Sequence, residues 1–98
     1  MTRLVIAPRA LLDMERLTDF LQDDDADTAR ETIPTLLRGL SILKEHPLIG
    51  RKAEAGLREL VIARGRAGYL ALYDFDVAND TAIVQTIRHQ REGGYAQE

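Results

Sequence analysis

The groups in this 98-residue chain that could do chemistry are few and unevenly placed. Residues 51–66 hold Arg51, Lys52, Arg58, Arg64 and Arg66 against only Glu54 and Glu59, so one segment is locally positive in a chain of formal net charge −3. Four of those cations are arginines, whose planar fork fits a phosphate or a carboxylate as an ammonium does not. Two further arginines, Arg88 and Arg91, stand on either side of His89, and Tyr95 follows Arg91 at four residues. An imidazole titrates near neutrality and can give or take a proton. Cysteine is absent, which excludes disulfide scaffolds, thiol nucleophiles and cysteine zinc sites. The acidic run Asp23-Asp24-Asp25-Ala26-Asp27 lacks the alternating oxygen ligands, glycine turn and distal glutamate of a calcium loop. No phosphate loop, dinucleotide fingerprint or nucleophile–histidine–acid triad is present, so neither a metal nor a cofactor is expected.

These residues must be positioned by a small set of elements. Arg3 to Ala7 is a β-branched run that reads as a strand, ended by Pro8, which suits the first turn of a helix. Ala10, Met14, Leu17 and Leu21 then recur at helical spacing, with Asp13, Glu15, Arg16 and Asp19 between them. The acidic run supplies capping carboxylates for a second helix starting near Asp25 or Asp27. That helix carries Ala29, Ile33, Leu36, Leu37, Leu40 and Leu43 and is expected to reach Lys44 or Glu45, where His46-Pro47 stops it. Pro34 inside it predicts a kink or a restart.

After Arg51 the apolar period changes from near 3.6 to 2, and three strands are predicted: Leu57 to Ala63, Tyr69 to Phe75 and Thr81 to His89. Gly65 and Gly68 bracket the first turn between them, and Asp76 to Asp80 makes a hairpin connection. Alternation puts Ile83, Gln85, Ile87 and His89 on one face of the last strand and Ala82, Val84, Thr86 and Arg88 on the other. The predicted order is β-α-α-β-β-β: an α+β unit in which an antiparallel helical hairpin packs on one face of a small antiparallel sheet. The other face and the sheet edges are left for a partner chain.

Length and composition fit one domain, residues 1–98, with 45% hydrophobic and 30% charged residues. A chain this short buries only roughly 60–65% of its unfolded surface, so marginal stability alone and stabilisation by a partner are expected. The apolar run before Pro8 is too short for a signal peptide and no stretch nears the ~20 apolar residues of a membrane span, so a cytoplasmic protein is expected.

Several residues have plain structural readings beside the chemical ones. His46 suits a helix terminus, Tyr69 and Tyr73 suit packing with their hydroxyls at the rim, and Arg51 suits a cap or an ion pair with an acid of the helical hairpin. A strand-end histidine satisfied by the core is the corresponding reading of His89. Arg58 and Glu59 are adjacent in a strand and so face opposite sides.

The order of these features resembles the RelE/ParE superfamily of type II toxins, also known as plasmid stabilisation proteins. The resemblance runs from Arg3 to about Tyr95 and rests on particular marks. They are the strand into Pro8, the two-helix hairpin, His46-Pro47-Leu48-Ile49-Gly50-Arg51, Leu57-Arg58-Glu59-Leu60-Val61, the Gly68-Tyr69 and Tyr73 pattern, and Ile87-Arg88-His89-Gln90-Arg91. It implies a growth-inhibiting toxin silenced by a cognate antitoxin that wraps over the hairpin and sheet in a hetero-oligomer.

The superfamily divides by target. In the RelE-like branch, ribosome-dependent cleavage of messenger RNA needs no metal, because the RNA 2′-hydroxyl is the nucleophile. It asks for a base, cations for the developing charge and an acid for the leaving oxygen. The resemblance would give His89, Arg91 and Tyr95 those catalytic roles, with Arg51, Arg58, Arg64, Arg66 and Arg88 binding phosphate or target. The chain departs from this branch at Leu70, after Tyr69, where a phosphate-binding arginine tends to stand, and at Val61-Ile62-Ala63, where lysines do. The ParE-like branch poisons DNA gyrase and asks only for a binding surface, which suits a basic turn and the aliphatic strand Tyr69-Leu70-Ala71-Leu72-Tyr73. The reading therefore leans to gyrase, with messenger RNA cleavage as the alternative and a non-toxic interaction module as a third.

Overall fold

A computed structural model describes residues 1–22, 26–62 and 68–90. Strand β1 (Arg3–Ile6) leads through Ala7 into helix α1 (Pro8–Gln22), and helix α2 (Ala26–Leu40) comes next. Strands β2 (Arg51–Lys52), β3 (Arg58–Ile62), β4 (Tyr69–Asp76) and β5 (Thr81–His89) complete a five-stranded sheet of order β1-β5-β4-β3-β2. The α+β architecture and the β-α-α-β-β-β order expected from the sequence hold, with the short edge strand β2 added.

Helix α2 runs through Pro34 without a restart. Pro34 is on an exposed position, where the carbonyl that its missing N–H leaves without a partner can be hydrated. The α-helix ends at Leu40, earlier than expected, and tightens into a 3₁₀ turn over Ser41–Lys44. The His46 N–H closes that turn on the Ile42 carbonyl at 2.8 Å.

The sheet is mixed rather than wholly antiparallel: β1 pairs with β5 in parallel, from Arg3 opposite Thr81 to Ile6 opposite Val84. No tight turn joins these strands, so connection length does not dictate their direction. The Ala7 N–H donates to the Val84 carbonyl at 2.9 Å, and α1 begins there, lying along the part of β5 that β1 does not reach.

The second departure from simple alternation is in β5. Leu72 pairs with Thr86 but the next residue of β4, Tyr73, pairs with Val84, so Gln85 is a one-residue bulge. The bulge switches the strand's parity. Ala82 and Val84 are buried before it, and Ile87 and His89 after it, which corrects the expectation that these pairs lie on opposite faces. Together with Tyr69, Ala71 and Tyr73 of β4, the apolar members of these pairs pack against Ala10, Met14 and Leu17 of α1 and Leu36 and Leu40 of α2.

The Asp76–Asp80 connection is a hairpin turn, as predicted. The Asp76 carboxylate accepts hydrogen bonds from the Asn79 side chain at 2.7 Å and the Asn79 backbone N–H at 3.3 Å. These bonds, the side-chain one first, hold its pKa below the ordinary aspartate value.

Candidate functional site

His89 is 1% exposed and meets the Tyr69 ring edge-on, with ring centroids 5.3 Å apart at 82°. The core reading of this histidine is the one the fold realises. A ring so covered cannot touch a phosphate or a ribose hydroxyl unless the packing above it opens. Arg88, its neighbour, points to the other side of the strand; its guanidinium donates to the His89 carbonyl at 3.3 Å.

The other candidate arginines among the described residues are engaged within the fold. Arg51 forms an ion pair with Glu59, the residue opposite it across the β2–β3 pair, with Nε to Oε1 at 2.8 Å. The pairing expected for Arg51 thus exists, with a carboxylate of β3 in place of one from the helical hairpin. Arg58 donates to the Gly50 carbonyl at 2.8 Å and the Leu48 carbonyl at 3.2 Å. Arg64, Arg66, Arg91 and Tyr95 lie outside the described residues, as does most of the predicted acidic connection at Asp23 to Asp25.

Tyr73 is fully buried, so its hydroxyl is not at the rim. It donates to the Pro47 carbonyl and accepts from the Gly50 N–H, both at 2.8 Å. Burial pushes the phenol's pKa up, partly offset by the Gly50 N–H and by the nearby Arg58 charge. Gly50 is required for this contact. A Cβ there would lie 2.6 Å from Tyr73 Cε1 and 2.9 Å from the Glu59 carbonyl oxygen. Tyr73 and Arg58 together pin the segment from Pro47 to Gly50, which holds Leu48 and Ile49 outward at 56% and 51% exposure.

Asp13 is the residue that sequence reasoning misses. Its type groups it with the polar positions of the first helix, yet it is 2% exposed. Its Oδ2 accepts from Thr86 Oγ1 at 2.6 Å and from the Ile87 N–H at 2.9 Å. Arg16 Nη2 approaches its Oδ1 at 3.3 Å and also donates to the Ile87 carbonyl at 3.1 Å. A signal is available: Asp13 stands three residues after Ala10 and four before Leu17, inside the apolar stripe.

Among the described residues the predicted candidates do not converge. His89 is in the core, Arg88 is across the strand from it, and Arg51 and Arg58 lie toward the opposite edge of the sheet. What the arrangement offers is a sheet with one face covered by helices, a half-exposed Val5 and Val61 on strands at or near its edges, and a rigidly held aliphatic loop.

Comparison with known proteins agrees with this fold. The model of the family described as the ParE toxin of the type II toxin-antitoxin system, parDE, matches residues 4–93. Toxin RelE3 of Caulobacter vibrioides is 29% identical over 92 residues, covering 94% of this chain and 98% of that protein. The crystal structure of the RelBE2 toxin-antitoxin complex from Mycobacterium tuberculosis contains a chain that superposes with a TM-score of 0.64 at 19% identity, covering 91% of this chain and 98% of its own. The β-α-α-β-β-β order and the match over nearly the whole length lead to one assignment: this chain belongs to the ParE toxin family of type II toxin–antitoxin systems.

Proposed function

We propose that this toxin arrests growth by binding DNA gyrase, and that a cognate antitoxin chain silences it by covering the helical hairpin and sheet. The observation that carries the reading is the burial of His89 in the core, with Arg51, Arg58 and Arg88 each bonded to carbonyls or a carboxylate of the same chain. General acid–base cleavage of RNA needs a proton-transfer group within reach of the substrate, and among the described residues the one imidazole placed for that role, His89, is covered. Binding a protein target needs only a surface of fixed shape. The pinned Leu48 and Ile49 supply apolar contact area that needs little reordering on binding, which favours affinity.

The test is induced expression with parallel pulse-labelling of DNA and protein synthesis, joined to a gyrase supercoiling and DNA-cleavage assay with purified toxin. DNA synthesis falls first, and purified toxin inhibits supercoiling or traps cleaved DNA. A fall in protein synthesis first, with gyrase unaffected, overturns the reading.

That outcome would favour the second reading, ribosome-dependent messenger RNA cleavage, which the name of the relative Toxin RelE3 supports. Arg91 and Tyr95 would then act at the scissile phosphate, joined by His89 once the packing over its ring opens, with Arg51, Arg58, Arg64, Arg66 and Arg88 as phosphate contacts. His89→Gln and Tyr95→Phe would each lower cleavage by at least about tenfold. The antitoxin proposal is checked separately. The purified companion raises the toxin's thermal midpoint by mass action, and an unchanged midpoint removes it.

A further inference from the structure

We propose that Asp13 is a positioning residue whose carboxylate holds the Gln85 bulge in β5, and thereby decides that His89 faces the core beside Tyr69 while Arg88 faces the other side of the sheet. Strict alternation along β5 offers two inward sets, and each is flawed. With Ala82 and Val84 inward, Thr86 and the Arg88 guanidinium go with them into the core; with Ile87 and His89 inward, the Gln85 amide does. The bulge joins the better half of each set. A one-residue slip exchanges the faces of everything beyond it, so a bond to the residues directly after Gln85 fixes where the bulge sits.

Asp13 has the geometry to do so. Its Oδ2 takes hydrogen bonds from Thr86 Oγ1 and the Ile87 N–H, the two residues directly after Gln85. Arg16 takes the Ile87 carbonyl. β1 has ended at Ile6 opposite Val84, so α1 side chains bond the β5 backbone where the edge strand has run out. The Asp13 side chain is 3% exposed, which keeps water from competing for the same donors. The role holds whether the toxin's target is gyrase or messenger RNA, because it concerns which face of the sheet His89 and Arg88 occupy.

The test is solution NMR of the full chain. In the wild type, a through-hydrogen-bond coupling joins the Ile87 amide nitrogen to the Asp13 carboxylate carbon, and nuclear Overhauser effects join the Tyr69 and His89 rings. Asp13→Ala speeds exchange of the Ile87 amide by about tenfold and loses the ring contact. Asp13→Asn keeps both, since its side-chain oxygen can still accept from Thr86 and Ile87. Deleting Gln85 makes simple alternation place Ala82, Val84, Ile87 and His89 on one face, so in the Asp13→Ala background it restores the ring contact. A residue that merely added stability would not be bypassed in this way. Retention of the ring contact and of Ile87 protection in Asp13→Ala, or failure of the Gln85 deletion to restore the contact, overturns the proposal. Should Asp13→Ala not fold, absence of the wild-type coupling or loss of the ring contact in Asp13→Asn does so.

Discussion

Toward the β1 side of the sheet a carboxylate, Asp13, bonds the β5 backbone beyond the point where its neighbouring strand ends; toward the β2 side a phenol, Tyr73, bonds the backbone of the segment leading into β2. Both put a buried side chain where a ladder partner is missing, and both leave the backbone satisfied. They differ in charge and in redundancy. Asp13 gathers a hydroxyl, an amide and two arginines, Arg9 and Arg16, around one carboxylate. Tyr73 bonds one carbonyl and one amide, and Arg58 holds the same segment independently through the Leu48 and Gly50 carbonyls. Loss of the first strands several buried donors together, whereas loss of the second is shared with a neighbour.

The sharpest break in this comparison is Asp13→Ala, expected to lower unfolding free energy by about 2–4 kcal/mol, because the Ile87 N–H and Thr86 hydroxyl lose a buried acceptor. Urea denaturation measures it, and a cost below that of Tyr73→Phe would reverse the ranking of the two clamps. Next is Gly50→Ala, whose added Cβ collides with the Tyr73 ring and the Glu59 carbonyl; overpacking of this kind costs about 1–3 kcal/mol in the same experiment.

Tyr73→Phe comes third, at about 1–2 kcal/mol, since it leaves the Gly50 N–H and Pro47 carbonyl without their partner while Arg58 stays in place. It also carries a pH signature. The folded-state pKa of Tyr73 lies above its ordinary value of 10.0, mainly through burial. Above pH 10.0 the unfolded chain gives up this proton more readily than the folded one, so this contribution is full below that pH and is lost as pH rises through the folded pKa. Wild type should therefore lose stability relative to Tyr73→Phe on going from about pH 8 to about pH 11. Parallel curves would show that the phenol is not buried as described.

The smallest effect is expected from Arg51→Ala. Its ion pair with Glu59 is two-thirds exposed on the arginine side, and pairs of this kind contribute about 0–1 kcal/mol, less at high salt. A loss well above that range would mark the β2–β3 edge as a third clamp, on a par with Asp13.

The periodicity of the chain is enough to read most of the elements. Ala10, Met14 and Leu17 mark α1, and the change of period after Arg51 marks the sheet. The hairpin at Asp76 is legible because Asp and Asn make their own local turn bonds, and the pattern needs nothing distant. The candidate site is legible only in part. Arg51 reads as an ion-pair residue, but its partner comes from β3, across a strand that the two residues Arg51 and Lys52 are too few to announce. Arg58 looks like a phosphate ligand from its type alone, while its bonds go to two carbonyls roughly ten residues upstream, a distance over which no local pattern speaks.

The first strand, the two helices and the three long strands arise from local preferences and from which side chains avoid water, and those are properties of neighbouring residues. The parallel β1–β5 pair, the Gln85 bulge, the burial of Asp13 and the inward turn of His89 are decided between segments more than seventy residues apart. A bulge carries no composition of its own. It exists where two halves of a strand each find a better fit in opposite parity, and that fit is known only once α1 lies beside β5 and brings a carboxylate to the Ile87 amide.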